Sequence, residues 1–324
     1  MIMEERKELE GVLAVWKPAG WTSHDVVAKV RRLTRMRRIG HAGTLDPGVT
    51  GVLPLCLGRA TRAVEYLQEL PKAYDAVMRL GVATDTEDMT GAVTETADAS
   101  HVTGEMVRET LARFTGEIEQ VPPMYSAVKV GGRKLYELAR EGKTVERAPR
   151  RVTIHSLELR FAELGGPEPR IGFSVVCSKG TYIRTLCVDI GRALGVPAAM
   201  ESLVRTMSAG LRESDCLTLE AIEELAASGR LAEALLPVDR ALDQYPRVDV
   251  GAAEAARAVQ GQRIRLPLAA AGGLVRVYGA GRFVGLFEAD GKAGELKPVK
   301  VFASADEFGR VPARQSADHP RTRD

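Results

Sequence analysis

Asp46 lies in a run whose residue types suit chemistry: Gly40-His41-Ala42-Gly43-Thr44-Leu45-Asp46-Pro47-Gly48-Val49-Thr50-Gly51. The proline after it biases Asp46 toward an extended backbone, and the surrounding glycines let a ligand come close to the main chain. A carboxylate displayed on such a loop could act as a nucleophile or a general base. An Asx-type turn closed by the same carboxylate also fits the local sequence and is the commoner arrangement. Other motifs fall short. Gly142-Lys143-Thr144 ends like a phosphate-binding loop, but Glu137 stands where GxxxxGK[ST] requires glycine. Gly279, Gly281 and Gly285 leave one residue too many for the dinucleotide fingerprint, and no βαβ unit precedes them. Ser23, His24 and Asp25 are adjacent and diverge, so they form no triad. Asp85, Glu87 and Asp88 lack the glycine placement of a calcium loop and read as an acidic turn. Cys56, Cys177, Cys187 and Cys216 form no CxxC pair, so reduced and mostly buried thiols are expected, with no metal site.

The elements around the Asp46 run must hold it. Leu13 to Trp16 reads as a strand that ends at Lys17-Pro18 and Gly20. Thr22 and Ser23 can cap a helix in which Val26, Val30 and Leu33 share a face. Residues 39–58, broken by Gly40, Gly43, Pro47, Gly48, Gly51, Pro54 and Gly58, are expected as a constrained loop region. A helix follows over Ala60 to Leu70, then a half-buried strand over Ala73 to Leu80 with Tyr74, Ala76, Met78 and Leu80 on one side. Further on come a helix from about Gly104 to Phe114 capped by Thr103, strands over Arg151 to Phe161 and Ile171 to Cys177, and a helix over Tyr182 to Leu194. There is no regular βαβ beat, so the fold class is α+β with a mixed sheet and flanking helices. Composition changes near Pro246 to Gly251. Beyond it, β segments at Arg263 to Leu266, Leu274 to Tyr278, Arg282 to Phe287 and Val299 to Phe302 suggest a small β-barrel-like domain. The expected parts are 1–245, 246–304 and a disordered tail, 305–324.

The 324 residues carry 45 Lys or Arg and 43 Asp or Glu, a formal net charge of +2. That length predicts two domains and a core that needs no disulfide or metal. No apolar run is long enough for a membrane helix, and the first dozen residues lack a signal peptide's apolar centre, so a cytoplasmic location is expected. The near-neutral sum hides segregation. Lys29, Arg31, Arg32, Arg35, Arg37 and Arg38 occur with no acid among them, and Lys129 to Arg151 holds eight basic residues against three acidic ones. Such stretches suit a polyanion, although a solvated helix face explains a single basic run as well. Aromatic residues are too sparse for a single-strand stacking platform.

Five ordered blocks resemble the TruB family of tRNA pseudouridine synthases. GHAGTLDPGVTGVLPLCLGRATR is similar to the family signature around its catalytic aspartate. Lys17-Pro18-Ala19-Gly20-Trp21-Thr22-Ser23 matches the KPxGxTS segment, and Lys72-Ala73-Tyr74 the KxY element. Val121 to Lys129 matches the PPxYSAxK element, and Cys177 to Thr185 the CSKGTYIRTL element. A PUA-type RNA-binding module is matched more weakly by Gly281 to Leu286 and Lys297 to Phe302. Val49 stands where the family commonly has a small residue, and Trp16 where an acid often precedes the KP pair.

The resemblance implies an isomerase that converts uridine to pseudouridine at position 55 in the T loop of tRNA. The base is flipped out, the bond from C1′ to N1 is cut, and C1′ is rejoined to C5. Atoms are conserved, so no cofactor is implied. By the same resemblance Asp46 is catalytic, Tyr74 stacks on the flipped base, Arg184 holds Asp46 ionised, and Leu203 packs near the base. His41, Lys17, Lys129, Arg133, Lys134, Lys179 and Arg205 are implied as RNA contacts, with residues of about 122–146 forming an insertion that closes over the T-stem loop. The implied partner is tRNA alone, acted on by a monomer with no obligate protein partner and no membrane. Three alternatives compete: a non-catalytic RNA-binding protein, a dyskerin-like enzyme acting on guided ribosomal RNA, and a nucleoside hydrolase, which normally needs a second carboxylate or a metal.

Overall fold

The turn after the first strand shows how local sequence seats the central loop. Thr22 Oγ1 accepts from the Asp25 amide at 3.0 Å while Asp25 Oδ2 accepts from the Thr22 amide at 2.9 Å, a reciprocal cap that starts a helix at Ser23. Val26, Val27 and Val30 bury one face of that helix, and Arg35 closes it in a left-handed conformation. In this computed structural model residues 9–265, 272–290 and 294–308 are described. The tail expected from 305 therefore lies outside the described residues beyond 308, as does Leu266.

The chain divides into two compact units, Met1–Leu236 and Pro237–Asp324. In the first, the elements run β1 (Gly11–Lys17), α1 (Ser23–Thr34), β2 (Ile39–His41), β3 (Thr50–Leu57), α2 (Val64–Glu69), β4 (Lys72–Leu80), β5 (Val82–Thr84), β6 (Val93–Thr96), α3 (Gly104–Arg113) and β7 (Gly116–Gln120). There follow β8 (Lys129–Val130), β9 (Arg133–Lys134), α4 (Leu135–Arg140), β10 (Arg150–Glu163), β11 (Arg170–Cys177), α5 (Ile183–Ala193), β12 (Ala198–Ser208), β13 (Leu211–Arg212) and α6 (Leu219–Ala227). One sheet has the order β1-β3-β12-β4-β11-β10-β7, with β2 also on β3 and β13 on β12. It is mixed, because β12 runs parallel to β3 and antiparallel to β4. The α+β class with a mixed sheet is therefore what forms.

Residues 39–58 depart from the expected continuous loop, since β2 and β3 occupy both ends. Pro54 is tolerated inside β3 because its carbonyl faces away from β1 and accepts from the Ala42 amide at 2.9 Å. Its missing N–H falls on that same side, just before the pairing with β2 begins at His41. Residues 198–208, where the sequence pattern predicts no element, form β12 between β3 and β4. Two register shifts against β4 blur its alternation. Two cores flank the sheet. Leu13, Val15, Leu53, Leu55 and Leu57 pack with Val26, Val30 and Ile222 on one, and Met78, Ile171, Phe173, Val175, Leu186 and Ile190 on the other. Each such side chain contributes about 1.5–3 kcal/mol on burial.

The second unit contains α7 (Val238–Ala241), β14 (Arg247–Val250), α8 (Ala252–Val259), β15 (Ile264–Arg265), β16 (Gly273–Gly279), β17 (Arg282–Asp290) and β18 (Glu295–Val301). Its five strands form one sheet in the order β14-β16-β17-β18-β15, consistent with a PUA-like module. Among the described residues no helix is long and apolar enough to cross a membrane.

Candidate active site

Asp46 is carried by the eight residues between β2 and β3, and these are fixed from three sides. From α1, the buried Ser23 hydroxyl accepts from the Leu45 amide at 2.9 Å and donates to the Leu45 carbonyl at 3.3 Å. From the end of β1, Lys17 Nζ donates to the carbonyls of Pro18, Trp21 and Pro47, the last at 3.1 Å. From β12, Arg205 donates through Nη2 to Gly43 O at 3.1 Å, through Nη1 to Thr44 O at 3.2 Å and through Nε to Val52 O at 2.8 Å. Ser23, His24 and Asp25 thus do three separate things: Ser23 braces the loop, Asp25 caps α1, and the exposed His24 meets the His41 ring edge-on with centroids 5.8 Å apart.

The Asx-turn alternative does not describe this loop. Its turn is closed by the Asp46 main-chain carbonyl, which accepts from the Val49 amide at 3.1 Å. The carboxylate is left to face Arg184, whose Nη2 lies 3.1 Å from Oδ2. Arg184 stands at the second residue of α5, where it is buried and not on the solvent face usual for a helix arginine. Nη1 donates to Thr86 O at 3.0 Å and Nη2 to Tyr125 O at 2.9 Å, while Asp88 Oδ2 is 4.0 Å from Nε. The helix start is itself pinned, because Gln120 donates to Tyr182 O and accepts from the Tyr182 amide.

Tyr74 and Leu203 come from the adjacent strands β4 and β12 and are half-buried. Both pack on the cluster that includes Leu45 and Val49, the apolar residues flanking Asp46. In the register Tyr74 faces Arg205 and Leu203 faces Ala76. Burial raises the Tyr74 phenol's pKa while the Arg205 guanidinium works in the opposite direction.

The expected RNA contacts divide. Lys129 and Arg133 are exposed on the β8–β9 hairpin, with Arg133 paired to Glu141 and the neighbouring Lys134 near the Tyr136 ring. Lys179 is exposed and pairs with Glu69. His41 is half-buried, and burial lowers its pKa; its Nδ1 has no hydrogen-bond partner among the described residues. Lys17 and Arg205 depart from expectation. Both are almost wholly buried and donate to carbonyls of the Asp46 loop and its flanks.

Sequence reasoning missed the support for Arg184. The run Asp85, Glu87 and Asp88, expected as an acidic turn, supplies the Thr86 carbonyl and the Asp88 carboxylate. Glu87 takes a left-handed conformation and accepts from the Thr185 hydroxyl at 2.6 Å, next to Arg184 in α5. Burial raises its pKa, and the Thr185 bond opposes that. The signal available was the alternation of polar and charged residues at 84–88 immediately after a strand. Among the described residues no cluster of His, Cys, Asp and Glu could hold a metal ion.

The chain's relatives share this scaffold. It matches the TruB family pseudouridylate synthase N-terminal domain over residues 31–183, the tRNA pseudouridylate synthase B C-terminal domain over 184–243 and the pseudouridine synthase II TruB C-terminal domain over 246–302. These define a pseudouridine synthase, an isomerase. The chain belongs to the TruB family. It is 47% identical over 306 residues to the tRNA pseudouridine synthase B of Bacillus licheniformis, covering 92% of this chain and 99% of that one. It is 54% identical over 258 residues to the tRNA pseudouridine synthase B of Symbiobacterium thermophilum, covering 80% and 84%. Among solved structures it resembles a chain of a Cbf5-Nop10-Gar1 complex, with a TM-score of 0.72, 28% identity and coverage of 94% and 88%. An H/ACA RNP bound to a substrate RNA containing 2′-deoxyuridine gives a TM-score of 0.71, 26% identity and coverage of 96% and 90%.

Proposed function

We propose that this chain isomerises uridine 55 in the T loop of tRNA to pseudouridine, with Asp46 as the catalytic residue. The observation that carries the reading is the contact between the exposed Asp46 carboxylate and the buried Arg184 guanidinium. A carboxylate that must act beside C1′ needs a fixed orientation, and the buried guanidinium holds Asp46 in one. Tyr74 stacks on the flipped uracil, and Leu203 closes the apolar side of the same pocket. The reaction breaks the N1–C1′ bond and forms the C5–C1′ bond; the proton lost from C5 is balanced by one gained at N1. No redox equivalent or energy source enters this balance.

Lys129, Arg133, Lys134 and Lys179 contact phosphates, and His41 fills the stack from which the base departs. Residues 122–146 close over the T-stem loop. Tyr125 in this segment already accepts from Arg184, so closure bears directly on the catalytic pair. The working unit is a single cytoplasmic chain with no obligate protein partner. Relatives named for tRNA are 42–54% identical, against 26–28% for the ribonucleoprotein chains, which favours the stand-alone tRNA enzyme. The test is to incubate the protein with an unmodified tRNA transcript and map pseudouridine by carbodiimide adducts. One modified T-loop uridine is expected, lost in Asp46→Asn with RNA binding intact. Normal turnover by Asp46→Asn overturns the assignment, and release of free uracil turns the reading to hydrolysis.

A further inference from the structure

Arg205 is among the largest side chains fully enclosed in the chain, 1% exposed. Among the described residues no carboxylate lies against it, and the charged or polar neighbour that most favours its cationic form is Tyr74. An ionised guanidinium kept in the interior without a counter-charge bears a desolvation cost that an apolar residue of similar size would not. Its three hydrogen bonds to main-chain carbonyls show what it holds. Gly43 O and Thr44 O precede Asp46, and Val52 O follows it, so one rigid fork holds both limbs of the loop.

The loop is shaped to meet this side chain and its backbone. A Cβ added at Gly43 would come 3.4 Å from Arg205 Nη1, and one added at Gly51 would come 2.2 Å from Arg205 O. Arg205 also faces Gly51 in the parallel register with β3 and Tyr74 in the antiparallel register with β4. One residue therefore touches the loop that carries Asp46 and the strand that carries Tyr74. We propose that Arg205 is a positioning residue that locks the Asp46 loop against β4, and does not itself contact RNA. The inference rests on the proposed pseudouridine synthase site.

The test compares the unaltered chain with Arg205→Lys and Arg205→Gln in single-turnover reactions on a T-loop transcript, with RNA affinity by filter binding and amide exchange across 42–52. Global destabilisation lowers the fraction of chains that react, whereas a displaced loop lowers the rate constant of those that do. In Arg205→Gln the rate constant is expected to fall about a hundredfold, on the scale of losing an oriented donor set, with affinity within threefold. Arg205→Lys keeps the charge and some donors, and should recover about tenfold of that loss. Amides of the loop should exchange faster in both. An unchanged rate constant in either variant overturns the proposal, as does a loss confined to RNA affinity, which would make Arg205 an RNA contact. Should Arg205→Gln fail to fold, the rate constant of Arg205→Lys decides alone: a fall of tenfold or more supports the proposal. An unaltered chain that binds the transcript and makes no pseudouridine overturns the proposed function and this inference with it.

Discussion

Arg184 and Asp46 meet at 3.1 Å from opposite sides of the solvent boundary, the arginine side chain 8% exposed and the aspartate 48%. The asymmetry has a consequence for mechanism. The cation is held by Thr86 O and Tyr125 O and has little freedom to follow its partner. The carboxylate keeps a free face toward the space an RNA base would enter. Binding of RNA then removes water from a pair whose geometry is already set, and the ion pair strengthens as the local dielectric falls.

Arg184→Lys is the sharpest probe of that arrangement. A lysine offers one compact ammonium and cannot reach Asp46, Thr86 O and Tyr125 O together. The turnover number should drop about 100-fold or more, the scale seen for losing one oriented donor, while RNA affinity changes little. Single-turnover kinetics with a parallel binding assay would check this. Equal losses in rate and affinity would place Arg184 on the RNA instead.

The elements that carry this site were legible because local rules are strong there, whereas the roles of Asp46, Tyr74 and Arg184 came from the resemblance to the family. The cap at Thr22, the strand carrying Tyr74 and the helix carrying Arg184 follow from capping chemistry and apolar periodicity, which act over a few residues. The proline-bearing strand β3 and the bulged strand β12 were not legible, since both depend on partners far along the chain. The same is true of Arg205 and Lys17. The resemblance implied RNA contacts, and only the fold shows that loop carbonyls surround them. The acidic turn at 85–88 forms as expected, and only the fold brings a buried arginine to Asp88.

Thr185→Val tests the second layer of support. The Thr185 hydroxyl donates to the Glu87 carboxylate, whose pKa is raised by burial. A raised carboxylate binds its proton more readily in the folded chain, so it disfavours folding as pH rises from the ordinary value through the folded one. Removing the donor raises the folded value further. The variant should lose about 1–3 kcal/mol at pH 8, with a smaller loss near pH 3.5, where Glu87 is largely protonated in both states. Urea unfolding at the two pH values measures the difference, and equal losses would show that Glu87 is not the group responsible.

Gly51→Ala should prevent folding. The backbone there has φ near +119°, and the added methyl would lie 2.2 Å from Arg205 O, a main-chain atom that cannot step aside. A cost of about 4 kcal/mol or more is expected. Gly20→Ala is the control, with φ near +80° and open space around it, and should cost only about 1–2 kcal/mol. Soluble yield and thermal unfolding of the two variants would separate steric exclusion from ordinary left-handed strain.

RNA affinity should fall steeply with salt despite a net charge of +2, because the basic stretches and not the sum meet the phosphates. Lys129→Gln should weaken binding uniformly across sequences and reduce the salt slope by about 1. Filter binding over a salt series measures both, and a flat response would remove phosphate contact from the account.

Lys17 gives the pH dependence of the loop itself. Burial pushes its pKa down to about 8, with the nearby Asp46 charge opposing the shift. Between about 8 and the ordinary value of 10.5 the unfolded chain holds a proton that the folded chain has released. The penalty of keeping the ammonium buried is thus fully present below about 8 and is relieved as pH rises through that window, so this group adds stability toward alkaline pH. The effect on turnover has the opposite sign. A neutral amine has one donor fewer for the Pro18, Trp21 and Pro47 carbonyls, and Asp46 loses a neighbouring cation. The single-turnover rate should therefore decline as pH passes about 8 while resistance to urea improves. Lys72 is also pushed to about 8, but its ammonium donates to Gln68 O and Leu70 O, so it contributes to the stability curve and not to the loop. Lys17→Arg keeps its charge throughout this range and should flatten the alkaline decline in rate; a decline that persists in that variant would assign it to another group.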